Sequence, residues 1–346
     1  MTRGGSSVGV LFLGCGAAAA MHSRTLRRIG NVELFYASRD ATRATRYQQQ
    51  FGGRAAFDTY DAGLEDTRVH VAFIATPTVT HRDLALRSLA RGKDVIVEKP
   101  AFMYAADVDV IRDVATPAGR RVFVAENYVY KPITALIRRS VDNGDLGDVR
   151  FVTLNATRHQ RAEGWRADPT LSGGGALFEA GIHWISFAAS LGLVVTAVSA
   201  YRVGDAEGPD RSSLVVFRYA NGAVGVLAHS WELRAPLRGV RLSKVQGLRG
   251  AITFESNGLA AFSTGRHRRL HLTGVRDLLG YRAMLTDFLR ALRSGEPPRY
   301  TLDDARRDLD LAGRAQRSLD QSELPVHFRP RSPQPPPVVS PTVRSP

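Results

Sequence analysis

Val8-Gly9-Val10-Leu11-Phe12-Leu13-Gly14-Cys15-Gly16-Ala17-Ala18-Ala19-Ala20-Met21-His22 is the stretch on which the fold turns. Residues 8–13 make a short β-rich apolar run and the glycines follow at once, so Gly14 and Gly16 can form a tight turn and let backbone approach a pyrophosphate. Ala18, His22, Leu26 and Ile29 then recur near a period of 3.6, which predicts a helix whose positive N-terminal end lies beside those phosphates. Ala19 falls at the third position of Gly-x-Gly-x-x-Gly/Ala. Strand, turn and helix in this order predict a dinucleotide site built from Gly14, Cys15, Gly16, Ala17 and Ala18.

Beyond that helix the alternation continues. Apolar β runs at 32–38, 69–75, 94–97 and 122–125 are separated by helical stretches at 41–51, 79–91 and 105–115, the pattern of a parallel sheet covered on both faces. Residues 8–127 therefore read as a Rossmann domain within an α/β chain. From residue 128 the grammar changes. Helices are predicted at 133–143 and 176–191 and a strand at 149–157, followed by β runs at 194–202, 212–219, 223–230, 240–246 and 251–255. Asn221-Gly222 and Asn257-Gly258 are hairpin signals. The expectation for 128–325 is an α+β domain with a large, mostly antiparallel open-faced sheet, closed by helices at 281–294 and 303–319 that pack back on the body. Residues 1–7 read as a disordered arm and 326–346 as a disordered Pro-rich tail.

At 346 residues and 44% hydrophobic, the chain can bury a large core and form two domains. The single cysteine, Cys15, rules out an internal disulfide framework and suits a reducing, cytoplasmic setting. Phe12-Leu13-Gly14-Cys15 imitates a lipoprotein cleavage site, but the apolar run before it is shorter than a secretory core, and no later run is long enough to span a bilayer. The net charge of +14 comes from scattered arginines, with one compact cluster, Arg266-His267-Arg268-Arg269, and no interleaved aromatics, so no nucleic-acid partner is expected. No Cys/His cluster has metal-ligand spacing, and no nucleophile elbow or P-loop occurs.

The second β run ends Ala37-Ser38-Arg39-Asp40. Asp or Glu near this point holds the ribose 2′-hydroxyl of NAD, whereas Arg accommodates a 2′-phosphate. Ser38 can donate a hydrogen bond and Arg39 can clamp phosphate, which favours NADP over NAD; the alternative leaves Arg39 in water and Asp40 on the ribose.

The chain resembles the glucose-fructose oxidoreductase / inositol dehydrogenase / rhizopine catabolism (Gfo/Idh/MocA) family. The resemblance rests on Gly14-Cys15-Gly16 with Ala19 and His22, on Ala75-Thr76-Pro77 with His81, on Gly92-Lys93-Asp94-Val95-Ile96-Val97-Glu98-Lys99-Pro100, and on Gly173-Gly174-Gly175-Ala176-Leu177-Phe178-Glu179-Ala180-Gly181-Ile182-His183. It implies cofactor contacts from Ala75, Thr76, Pro77, His81, Glu98, Lys99 and Asn127, and a polyhydroxylated substrate: a sugar, sugar nucleotide or cyclitol. It also implies a homodimer or homotetramer through the C-terminal sheet.

Hydride transfer between a carbinol carbon and nicotinamide needs the substrate oxygen to lose or gain a proton. Lys99, at the carboxyl end of a strand, can place positive charge there, and His183 is the natural proton carrier. Glu179, four residues before His183 on a predicted helix, is expected to orient it. Related enzymes usually carry Asp where Glu179 stands, and the added methylene displaces the carboxylate by roughly a bond length. Tyr128, Trp165 and Arg166, with Arg158 and His159 nearby, are candidates to line the substrate pocket beside Lys99, Glu179 and His183. Two other readings stand beside this one: a non-catalytic dinucleotide-binding regulator, and an imine or conjugated-double-bond reductase of the same fold.

Overall fold

The computed structural model describes residues 7–161, 163–204, 208–234, 239–265, 268–273 and 276–321, without the side chains of Arg166, Ala167 and Pro169. The expectations for the two chain ends fall outside these residues apart from Ser7, and Arg266-His267 does so as well.

The first half alternates strand and helix: β1 (Val8–Leu13), α1 (Ala17–Ile29), β2 (Val32–Ala37), α2 (Ala41–Phe51), β3 (Ala55–Phe57), α3 (Tyr60–Glu65), β4 (Val71–Ile74), α4 (His81–Ala90), β5 (Asp94–Glu98), α5 (Ala105–Ala115) and β6 (Val122–Ala125). All neighbouring strands pair in parallel, in the order β3-β2-β1-β4-β5-β6. Val10 to Leu13 are wholly buried, as a parallel strand with helices on both faces requires. The order reverses at β1, and open sheets of this kind leave a crevice there beyond the carboxyl ends of the strands. Register puts the ends level: Leu13 pairs with Ala37 on one side and Ile74 on the other, so the segments starting at Gly14, Ser38 and Ala75 meet at that crevice. β3 and α3 were not foreseen, since an edge strand of three half-buried residues is too short to show a period.

The second half comprises α6 (Pro132–Asp142), β7 (Val149–Thr157), α7 (Pro169–Ser172), a π-helical turn (Leu177–Gly181), α8 (Ile182–Ala189), β8 (Val195–Arg202), β9 (Ser212–Tyr219), β10 (Val224–Ser230), β11 (Leu242–Gly247), β12 (Ala251–Glu255), β13 (Ala260–Thr264), β14 (Arg269–Leu272), α9 (Tyr281–Ser294) and α10 (Leu302–Gln321). The strands form one sheet, ordered β14-β13-β12-β11-β7-β10-β9-β8. Its described pairs are antiparallel except β7 with β10. Asn221-Gly222 turns β9 into β10, and Asn257-Gly258 turns β12 into β13, whose run and that of β14 are too short and polar to stand out in the sequence. Alternate residues such as Val152, Leu154 and Ala156 of β7 face inward, where α8 and α10 cover the sheet. α9 packs on α1 and α10 on α5, so both closing helices return to the first half. Among the described residues no helix is long and apolar enough to cross a membrane.

Candidate active site

A cleft of about 610 Å³ opens at the crevice. Gly14, Cys15 and Gly16, then Ser38 and Arg39, then Ala75, Thr76 and Pro77 line it. Gly14 sits at φ 97°, and a Cβ there would lie 2.8 Å from Thr76 Cγ2 and 2.9 Å from the Ala75 carbonyl oxygen, so packing alone demands glycine. Gly16 is different: its φ is −115°, and a Cβ would meet nothing within 4 Å. Nothing in the chain itself calls for a bare backbone there, which suits a group approaching from outside. The first turn of α1, with Ala17 and Ala18, has neither a side-chain cap nor an acidic residue, leaving its N–H groups for an anion. These features fit a dinucleotide pyrophosphate. The Cys15 thiol is buried and pushed up to about 12 by that burial, so it is packing rather than chemistry.

At the far end of the cleft, Ser38 Oγ accepts the Asp40 N–H at 3.2 Å. Asp40 caps α2, its Oδ1 accepting the Arg43 N–H at 3.1 Å, which turns that oxygen toward its own helix. Arg39 is exposed and reaches the Tyr60 hydroxyl across the cleft.

β5 delivers Glu98 and Lys99 to the other end, ahead of a cis Lys99-Pro100 bond. Glu98 is shielded and accepts from His22 Nε2 at 2.5 Å and from the Lys99 N–H at 3.0 Å. Burial works to raise its carboxyl, but the His22 hydrogen bond and nearby positive charge prevail and hold it below the usual range. The helix that follows the phosphate turn is thereby tied to the strand that carries Lys99.

Lys99 Nζ crosses to the second half, donating to the Glu179 carbonyl at 2.8 Å and lying 3.5 Å from Glu179 Oε1. His183 Nδ1 donates to Glu126, 2.8 Å from Oε1 and 3.0 Å from Oε2, while the Tyr128 ring stacks on the imidazole at 4.6 Å and 12°. With its proton on Nδ1 held by a carboxylate, the imidazole keeps Nε2 for a substrate. The side chains of Lys99 and His183 each retain 15% exposure, whereas Glu179 and Glu126 retain 5% and 2%, so the charge and proton groups face outward and their carboxylates stand behind.

Three expectations need correction. Glu126, not Glu179, orients His183: residues 177–181 form a π-helical turn with i→i+5 spacing, and side chains four apart no longer stack. His81 is buried and its nitrogens face the carbonyls of Thr76, Pro100 and Ala101, so it pins the two site loops to each other instead of entering the cleft. Asn127 is buried, with its amide N–H on the Leu279 carbonyl at 2.7 Å and its Oδ1 without a hydrogen bond among the described residues. Trp165 lines the dinucleotide cleft. Arg158 and His159 are exposed just past β7, and the Arg166 side chain lies outside the described residues. Glu126 directly precedes Asn127 in the sequence, yet no local signal joins it to a histidine 57 positions away.

Comparison with known proteins agrees with this geometry. Residues 8–126 match the model described as "Oxidoreductase family, NAD-binding Rossmann fold", and 134–253 match the GFO/IDH/MocA C-terminal domain. The chain belongs to the Gfo/Idh/MocA family. It is 35% identical over 160 residues, 45% of each chain, to the dTDP-3,4-didehydro-2,6-dideoxy-alpha-D-glucose 3-reductase of Streptomyces violaceoruber. Myo-inositol 2-dehydrogenase of Thermotoga maritima is 24% identical over 334 residues, covering 89% of this chain and 95% of that one. Levoglucosan dehydrogenase in complex with NADH superposes with a TM-score of 0.81 at 20% identity over 91% of this chain and 98% of the other, a likeness of fold. The chain spans about half the length of the first curated relatives it matches.

Proposed function

We propose that this protein is an NADP-preferring oxidoreductase that interconverts a carbinol and a carbonyl on a sugar, sugar nucleotide or cyclitol. The carrying observation is the meeting of Lys99 from one half of the chain with Glu179 from the other, in the turn that leads into His183. Gly14 to Ala18 would hold the pyrophosphate, and Arg39 with Ser38 the 2′-phosphate. The bound nicotinamide supplies the two-electron acceptor or donor. Lys99 holds the reacting oxygen and stabilises the negative charge that builds on it, with Glu179 fixing the ammonium. His183 Nε2 takes the hydroxyl proton in oxidation and returns it in reduction, with Glu126 steadying Nδ1–H throughout. The sugar nucleotide and inositol activities named for two relatives support this substrate class.

The outer face of the second sheet supports a homo-oligomer: Phe151, Leu242, Phe262 and Leu270 are exposed there, and Phe262 pairs directly with Leu270. The test of activity is an NADPH- and NADP-linked absorbance screen, with NADH and NAD in parallel, over aldoses, ketoses, inositols and nucleotide sugars. Lys99→Ala should lower kcat on any substrate found by about 100-fold or more and leave NADPH affinity near that of the parent. Equal turnover by variant and parent would end the assignment.

A further inference from the structure

Behind Tyr128 lies a charge that the scheme above does not use. Lys131, in the loop between Tyr130 and α6, is 1% exposed, yet its Nζ sits 4.3 Å from the centroid of the Tyr128 ring. Its hydrogen bond is a long one, 3.5 Å to the Ser256 carbonyl, and among the described residues it forms no ion pair. The His183 imidazole stacks on the same phenol at 4.6 Å. The phenol thus touches both groups, and the contacts run from Lys131 to Tyr128, from Tyr128 to His183 and from His183 to Glu126.

We infer that Lys131 is a positioning residue for His183: its buried ammonium, acting through the Tyr128 ring, opposes a second positive charge on the imidazole and keeps it in the neutral form that accepts a proton. The inference rests on the proposed function and deepens it by naming what balances Glu126. Glu126 on Nδ1 orients the imidazole and brings a full negative charge beside it, and the ammonium against Tyr128 is the positive charge on that side of the site. Lys131 is buried against the Tyr128 ring, so its field is not screened as it would be at the surface. The surrounding charges are of both signs. Glu255 attracts the ammonium and keeps its charge while accepting from the neutral Asn257 N and Nδ2, at 3.0 and 2.8 Å. Arg241, whose guanidinium holds Thr157 O and Asn257 Oδ1, adds to the positive field, and Arg158 does so on Tyr128. Toward His183 the remaining charges are Glu126 itself and Glu98, and beyond them the Lys99–Glu179 pair. Burial also draws the Lys131 ammonium down to about 8, so its charge is present at neutral pH and is shed just above it.

The two centroid distances put the ammonium no more than about 9 Å from the imidazole, and a unit charge at that range, at an effective dielectric constant of about 20, moves a proton equilibrium by about one pH unit. The test uses full-length parent, Lys131→Met, which keeps the shape and drops the charge, and Lys131→Arg, which keeps the charge. Two readouts are taken. One is the low-pH limb of kcat/KM in the oxidising direction. The other, independent of turnover, is the rate of His183 carbethoxylation by diethyl pyrocarbonate at pH 6, followed by peptide mass spectrometry, since only neutral imidazole reacts. In Lys131→Met the limb should move up by about one pH unit and carbethoxylation should slow by about fivefold to tenfold, with Lys131→Arg staying near the parent. A Lys131→Met protein that melts as cooperatively as the parent while both readouts stay unchanged overturns the inference. If no substrate is turned over by the parent, the proposed function fails, and the carbethoxylation rates still decide the role of Lys131.

Discussion

Glu126→Gln isolates the part of the site that the fold assembled out of sight of the sequence. The side chain is 2% exposed and makes three contacts: His183 Nδ1 at 2.8 Å to Oε1 and 3.0 Å to Oε2, and the Tyr128 N–H at 2.9 Å to Oε1. Glutamine keeps the volume and one acceptor oxygen, so the turn at 127–130 survives and the fold should melt within about 1 kcal/mol of the parent. What is lost is the charge that steadies the imidazolium when His183 carries the proton. Hydrogen bonds to charged groups are worth about 1.5 to 3 kcal/mol, and every 1.36 kcal/mol off transition-state stabilisation is a factor of ten. The expected loss in kcat is therefore about 10- to 100-fold, with the KM for the nicotinamide dinucleotide within about twofold of the parent because Glu126 does not line the dinucleotide cleft. Steady-state kinetics in the oxidising direction, at a saturating oxidised nicotinamide dinucleotide, beside a thermal melt, makes the measurement. A kcat within twofold of the parent, on a protein that melts normally, would refute the role given to Glu126.

Three further outcomes follow from the geometry. Gly16→Ala should leave stability within about 0.5 kcal/mol, since its φ is ordinary and its Cβ meets nothing, yet weaken binding of the nicotinamide dinucleotide by about tenfold or more; Gly14→Ala, strained at φ 97° and pressed on Ala75 and Thr76, should cost about 1 to 3 kcal/mol in a urea melt. His229 lies against Gly181 and burial holds its imidazole down at about 3, so its folded value is depressed below the unfolded one and its contribution to stability, full above about pH 6.5, is lost as pH falls through that window toward 3. Urea melts at pH 7.5 and 4.5 should show the parent losing about 2 to 3 kcal/mol more than His229→Phe over that interval; equal losses would show that His229 does not titrate on unfolding. Finally, the proposed homo-oligomer through the outer sheet face predicts a parent mass above that of one chain in size-exclusion light scattering and a monomer for Phe151→Asp with Leu242→Asp; a monomeric parent, or an unchanged mass in the variant, would refute that contact.

The first half of the fold was legible because its information is local. A β run meeting Gly14 and Gly16, and apolar runs alternating with helical spacing, report a parallel sheet wherever they occur, since each strand must be buried on both faces. The same holds for β7 and α9, whose limits at Val149–Thr157 and Tyr281–Ser294 coincide with the sequence reading. Lys99 and His183 were legible as residue types in recognisable company. Their partners were not. The spacing of Glu179 and His183 suggested one helical face, but a π turn breaks that rule, and whether five residues close as α or π is settled by what packs on them, here Asp210, which holds the Leu177 N–H, and His229 beneath Gly181. Glu126, Tyr128 and Lys131 leave the first sheet in a single short turn, and only the docking of α8 against that turn brings His183 into their stack. Local pattern thus determined which segments are strands and helices and where the phosphates would lie; contacts between residues far apart in the chain, which carry no period, decided which carboxylate serves the lysine and which serves the histidine.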